Sequence, residues 1–356
     1  MTIDSNRRAF LRHGTAAVAA ALLPVTLVDV AQARGVEPFT FAVLSDAHLQ
    51  QMRGAEFVRS WDRGLRRAIA EVNLLTPAPD FVVFGGDLAH AGRRDELDHG
   101  AELLSALRAP VRHVVGEHDY YLDLGNAWSQ LFGAQWYSFD HKGVHFIVLN
   151  SVLTDAAWMD AYSARPRERM EAVIGLGQAG APAFQVGDAQ RAWLAQDLRV
   201  VSKPTPIVVL SHAPLQRLYR GWNFWTEDSD AVHALLRPFD RVTVIYGHVH
   251  QLQYSRVGNI TFFSAMSTAW PYPYPESYAQ AVDVLPTLSI PENRADPFFE
   301  RDGAGWQFIN LASVKTELYY NLYNNPARSV IVNAHGDPED TTYAAAAGRV
   351  PSQQHY

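Results

Sequence analysis

Five short apolar runs in the first 250 residues each stop at an aspartate, glutamate or histidine, and this arrangement constrains the fold more than any other feature. Phe39–Leu44 ends in Ser45-Asp46-Ala47-His48, Phe81–Phe84 in Gly85-Gly86-Asp87, and Val111–Val115 in Gly116-Glu117-His118-Asp119. Ile207–Leu210 ends in Ser211-His212, and Val242–Tyr246 in Gly247-His248-Val249-His250. Runs this short and apolar read as buried strands. Between them lie segments with helical spacing: Glu56–Leu75 (Val58, Trp61, Leu65, Ile69, Val72), Asp95–Leu107, a segment to Val200 with Asp188 as its N-cap, and Asp230–Leu236. Tyr137–Asp140 and Val144–Leu149 flank His141-Lys142-Gly143, and Gln251–Val257 and Ile260–Phe263 flank Gly258-Asn259, both hairpin signals. Strands alternating with helices, plus hairpins, predict a mixed α/β layered fold whose sheets are not purely parallel.

In such folds the carboxyl ends of strands along one sheet edge converge on a crevice, so residues 200 positions apart can meet there. Asp-x-His and His-x-His place two side chains on the same side of an extended segment. Gly85-Gly86 allows a tight turn beside that crevice. A single histidine after a strand is usually structural, but these residue types at five successive strand ends form a candidate metal site. The chain has 14 histidines and no cysteine, so any metal must be held by nitrogen and oxygen, and disulfides are excluded. His90, His99, His113, His141, His145 and His233 lie outside the pattern and read as structural.

At 356 residues the chain allows one large domain or two modest ones, and 48% hydrophobic residues exclude a wholly disordered protein. A net charge of −7 without long single-sign blocks argues against a nucleic-acid groove or an anionic membrane surface. Residues 1–33 read as an export signal: Arg7-Arg8, an apolar stretch from Thr15 to Val28, and the small-x-small triplet Ala31-Gln32-Ala33. Fourteen residues span about 21 Å, short of a roughly 30 Å hydrocarbon core, so no stable membrane span is expected once the signal is removed. The paired arginines predict the twin-arginine export machinery as a partner and a periplasmic or secreted location. After Trp270 the texture becomes proline- and aromatic-rich, with possible short elements at Gln307–Leu311 and Glu317–Tyr323. This region could form a lid or substrate wall, or cover a sheet edge or subunit contact. Trp222, Phe224 and Trp225 could also line the pocket.

The order Asp-x-His, Gly-Asp, Gly-Glu-His-Asp, His, Gly-His-x-His resembles the signature of the calcineurin-like metallophosphoesterases, over Phe39 to Ala269. The context of Ser211-His212-Ala213-Pro214 and Tyr246-Gly247-His248-Val249-His250 is most similar to the class III cyclic-nucleotide phosphodiesterase branch. The resemblance implies a four-layer α/β/β/α sandwich over residues 37–270, two mixed sheets, and a metal site at strand carboxyl ends. Residues 271–356 would be an extension partly packed on the core, with a loose tail. It further implies one metal held by Asp46, His48, Asp87 and His250, and a second held by Asp87, Glu117, His212 and His248, with Asp87 bridging. Manganese, iron or zinc suits such ligands. His118 would serve the leaving oxygen, as general acid or as charge stabiliser, with Asp119 orienting its ring.

The sequence departs from the family at Glu117, where asparagine is usual. Glutamate either ligates the second metal, adding a negative charge, or stands apart and leaves that metal weakly held. If it ligates, a doubly charged monoester suffers more repulsion than a diester. The expected activity is therefore phosphodiester hydrolysis by a metal-bridging hydroxide on a small-molecule phosphate ester. The alternatives are a phosphomonoesterase or nucleotidase on the same scaffold, and a non-catalytic metal-binding scaffold protein.

Overall fold

The structure, a computed structural model, describes residues 35–50, 62–174, 182–270, 288–289, 304–310 and 317–322. The export-signal segment, the first six residues of the expected Glu56–Leu75 helix, most of the proline-rich stretch and the tail lie outside the described residues.

Two large mixed sheets organise the chain. The strands are β1 (Thr40–Leu44), β2 (Phe81–Phe84), β3 (Val111–His113), β4 (Tyr137–His141), β5 (Val144–Val148), β6 (Ile207–Ser211), β7 (Arg217–Tyr219) and β8 (Phe224–Trp225). They continue with β9 (Val242–Tyr246), β10 (Gln253–Val257), β11 (Ile260–Ser264), β12 (Leu288–Ser289), β13 (Gly305–Asn310) and β14 (Glu317–Leu322). The first sheet runs β14-β13-β1-β2-β3 and the second β12-β10-β11-β9-β6-β5-β4. In the first, β1, β2 and β3 are parallel out to the β3 edge and antiparallel β13 and β14 lie on the other side; in the second, a parallel centre of β5, β6, β9 and β11 carries antiparallel strands on both sides. The β4–β5 and β10–β11 pairs are antiparallel, as their turns predict.

Alternation along the strands sets the packing. Ala42 and Leu44 of β1, with Val82 and Phe84 of β2, bury against Leu65, Ala68, Ile69 and Val72 of the helix Asp62–Asn73 and Leu97 and Leu104 of the helix Arg94–Leu104. The opposite faces present phenylalanines to the second sheet, with Phe146 of β5 at 5.8 Å from Phe41 and 5.3 Å from Phe81, edge to face. The far side of the second sheet buries Val209, Val244 and Phe262 with Leu194 and Leu236 from the helices Asp188–Asp197 and Ser229–Leu236. No helix among the described residues is long and apolar enough to cross a membrane.

One local expectation needs correction. Asp188 is the first helical residue, not the N-cap; Gly187 caps the helix at φ 83°, a conformation that favours glycine over an aspartate side chain. The region after Trp270, read as a lid, a substrate wall, a sheet-edge cover or a subunit contact, contributes strands to the first sheet. β13 lies between β14 and β1 and pairs with β1 from Thr40↔Asn310 to Val43↔Gln307, covering what would otherwise be an open edge.

Candidate metal centre

Three parallel strands of the first sheet and two of the second aim their carboxyl ends at one place, so the crevice joins two sheets rather than lying along one edge. Asp46 and His48 follow β1, Asp87 follows β2, and Glu117 and His118 lie beyond β3 in a short helix, Glu117–Tyr120. His212 follows β6, while His248 and His250 follow β9. All are buried. Ser267 ties the sheets together here, its hydroxyl donating to Asp46 O at 2.8 Å, while the amide of Thr268 donates to Ser45 O at 2.9 Å.

The segments carrying these residues are not extended. Asp46 (φ 52°), His48 (44°), Asp87 (53°), His248 (65°) and His250 (46°) all have left-handed backbones. Such conformations cost of order 1–3 kcal/mol each in non-glycine residues and gather where function requires a fixed side-chain direction. They turn both polar side chains of each Asp-x-His or His-x-His pair into the pocket and bury the intervening Ala47 and Val249. Gly116 permits the close approach: a Cβ there would collide with the Asp87 carboxylate and amide. At Gly247 a Cβ would stand 2.8 Å from Asp46 Oδ2.

The side chains form two groups. Asp46, His48 and His250 are one; His250 Nε2 lies 3.1 Å from Asp46 Oδ1 and 3.0 Å from His48 Nε2. Asp87, Glu117, His212 and His248 are the other; His212 Nε2 lies 3.1 Å from Asp87 Oδ2 and 3.0 Å from Glu117 Oε2. Asp87 stands between them. Its Oδ1 accepts the His118 amide at 2.9 Å, and its Oδ2 is also 3.6 Å from His48 Nε2. Ring orientations are set from behind: His212 Nδ1 bonds to Gly85 O and His250 Nδ1 to Trp270 O, both at 2.7 Å, leaving each Nε2 to the pocket.

The electrostatics are those of a site built around cations. Burial and the charge of Glu117 push Asp87 well above the usual carboxylate range. Burial also raises Asp46, but His250 and His212 outweigh it and hold the group low. Glu117 is likewise raised by burial, yet His248 and His212 bring it well below its ordinary value. Burial lowers His212, but Asp87, Glu117 and Asp46 drive it well above the imidazole range. Four buried atoms of the site, Asp46 Oδ2, Glu117 Oε2, His212 Nε2 and His248 Nε2, make no well-aligned hydrogen bond, although His212 Nε2 and Glu117 Oε2 stand 3.0 Å apart. Orphaned polar atoms in a buried pocket cost free energy, and their convergence fits ion binding. Imidazole and carboxylate donors suit zinc, iron or manganese.

His118 lies beside the first group, its ring 4.5 Å from that of His48. Burial holds it at about 3, against the pull of Glu117, so the ring is neutral at neutral pH. Its Nδ1 bonds to His90 O at 2.5 Å, leaving Nε2 uncommitted to the backbone. This corrects the expected role of Asp119. That carboxylate accepts amides from Ala89 at 2.9 Å and Gly116 at 3.2 Å, so it braces two loops while His90 orients the His118 ring. His90 itself, read from sequence as structural, groups with His48 and His118. Its position six residues beyond the end of β2 hid it. The other outlying histidines are held in structural contacts, such as His145 between Asp140 and Asp197 at 2.7 and 2.9 Å. Of the expected wall residues, Phe224 packs on His248 at 5.3 Å with Trp222 behind it, and Trp225 turns to Glu227.

Two mixed sheets with paired clusters of hard ligands at their strand ends define a metallohydrolase. Residues 39–252 match the calcineurin-like phosphoesterase family, and the chain belongs to it. A 3′,5′-cyclic-nucleotide phosphodiesterase of Nostoc is 21% identical over 66% of this chain and 80% of its own length. A mouse serine/threonine-protein phosphatase is 30% identical over 44% of this chain and 47% of its own. Among solved structures, a dimetal phosphatase from Danio rerio superposes with TM-score 0.52 at 16% identity, covering 81% of this chain and all of that one. A purple acid phosphatase from yellow lupin gives 0.55 at 12% identity, covering 81% and 52%. At these identities the structural likeness concerns the fold. The chain is a phosphoesterase and a hydrolase, with phosphodiesterase and phosphatase relatives.

Proposed function

We propose that this protein hydrolyses phosphodiesters with two metal ions, one held by Asp46, His48, Asp87 and His250, the other by Asp87, Glu117, His212 and His248. The observation that carries this reading is the pair of buried ligand groups meeting at Asp87, with orphaned atoms converging between them. When bound, such ions lower the pKa of water and neutralise phosphoryl oxygens. The protein's part is to hold that geometry and manage the proton. Asp87 presents Oδ2 to both groups because the His118 amide occupies Oδ1. Water adds to phosphorus, the bond to the leaving oxygen breaks, and that oxygen takes up a proton. His118, with its Nδ1 proton donated to His90 O, presents a bare Nε2 that accepts the proton released by the attacking water and delivers it to that oxygen.

The similarity to the Nostoc cyclic-nucleotide phosphodiesterase supports the diester reading. Glu117 does too, because a carboxylate in the second group opposes the extra charge of a monoester. The likeness to the mouse phosphatase favours a monoesterase instead. Turnover of bis-p-nitrophenyl phosphate against p-nitrophenyl phosphate, after chelation and manganese reloading, separates the two. A higher kcat/KM on the monoester overturns the diester assignment. We also propose a helix–sheet–sheet–helix layering and twin-arginine export directed by residues 1–33. Replacing Arg7-Arg8 with lysines and following the protein's location tests the latter.

A further inference from the structure

His212 and His250 each hand their rear nitrogen to a backbone carbonyl, but His48 does not. Its Nδ1 lies 3.4 Å from Nδ1 of His90, the rings 5.6 Å apart and inclined by 64°. The front nitrogen, Nε2, faces the pocket, 3.0 Å from His250 Nε2. An imidazole that offers Nε2 to a cation carries its proton on Nδ1, so His90 Nδ1 is then the acceptor. The backbone of His90 is itself fixed, its amide donating to Leu49 O at 2.9 Å, one residue beyond His48. From the same residue the carbonyl accepts from His118 Nδ1.

The geometry points to His90 as a positioning residue with two clients: its ring sets the tautomer and rotation of His48, and its carbonyl sets the ring of His118. A first-group ligand and the histidine that serves the leaving oxygen are thereby registered to one residue on the loop after β2. Partners behind a metal-ligating histidine typically contribute about 10- to 100-fold in metal affinity. The inference rests on the metal-centre reading above.

The test separates the ring of His90 from its carbonyl. His90→Leu keeps bulk and the carbonyl but removes the acceptor; His90→Asn restores an acceptor oxygen. Manganese and zinc affinities are measured by competition with a chromogenic chelator. Metal equivalents, kcat and KM on bis-p-nitrophenyl phosphate, and melting of the metal-free proteins are followed alongside. His90→Leu is expected to weaken one metal by about 10- to 100-fold, leave the other and the metal-free Tm unchanged, and lower kcat more than KM rises. His90→Asn is expected to recover most of the loss. Wild-type affinity in His90→Leu overturns the inference, as do equal losses in both variants. A third metal equivalent in the wild type that His90→Leu loses also overturns it, because His90 would then be a ligand. Wild-type protein that binds no metal would fail at the earlier step, the metal centre itself.

Discussion

Glu117 reaches both histidines of the second ligand group, with Oε1 2.6 Å from His248 Nδ1 and Oε2 3.0 Å from His212 Nε2. Its side chain reaches into the site and supplies a formal charge there. At an effective dielectric of 20, unit charges 4 Å apart interact by about 4 kcal/mol, enough to discriminate a dianion from a monoanion.

Glu117→Asn is therefore expected to raise the ratio of monoester to diester kcat/KM by roughly tenfold or more, equivalent to about 1.4 kcal/mol of differential transition-state stabilisation. Metal retention should fall in the same variant, since one anionic donor becomes neutral. An unchanged substrate ratio would contradict a charge-based preference for diesters.

Gly116→Ala tests the packing behind Asp87. Gly116 has an ordinary extended backbone (φ −103°), so only the clash of the new methyl with Asp87 is at issue. Overpacking of this kind costs about 1–3 kcal/mol, and here it would displace the carboxylate shared by both groups. Loss of both metal equivalents with most secondary structure retained by circular dichroism is the expected result; full metal content would argue that Asp87 can shift without consequence.

Much of this was legible in the chain because strand ends and ligand residues coincide: β2 and β9 run over the residues the apolar runs predict, and all seven expected ligands meet. What was hidden depends on non-local geometry. The left-handed φ of Asp46 and His248 sits among contacts between distant segments, the Ser267 hydroxyl donating to Asp46 O and the His248 amide to Asp46 Oδ1, which no local propensity encodes. Asp119 bonds to Ala89, thirty residues earlier, and this pairing decides that it braces backbone and not the ring beside it. The strand Gly305–Asn310 was readable as a short element, but its place beside β1 was not, since 260 residues separate its start from the end of β1 and no turn connects them.

That placement makes its own prediction. Trp306 of β13 is buried in the first core, and its indole donates to Glu71 Oε2 at 2.7 Å. Trp306→Ala should cost about 3–5 kcal/mol, and ending the chain at residue 303 should leave β1 with an unpaired edge and yield aggregated protein. Soluble, cooperatively melting protein truncated there would show that the sheet does not need this strand.

The last prediction concerns pH. Burial lowers His113 from 6.5 to about 4, and its ring stacks on Phe132 at 4.3 Å. The unfolded chain binds this proton near pH 6.5 while the folded chain resists it, so between these values the unfolded state holds more protons and stability rises with pH. The group carries no penalty above about pH 6.5; a penalty grows as pH falls and levels off below about 4, at of order 2 kcal/mol after allowing for partial exposure. His113→Phe keeps the stacking and removes the titration. Comparing urea unfolding of the two proteins at pH 7.5 and pH 4.5 cancels the other titrating groups. The variant should lose less stability on acidification than the wild type, and parallel losses would mean that His113 is protonated in the folded protein.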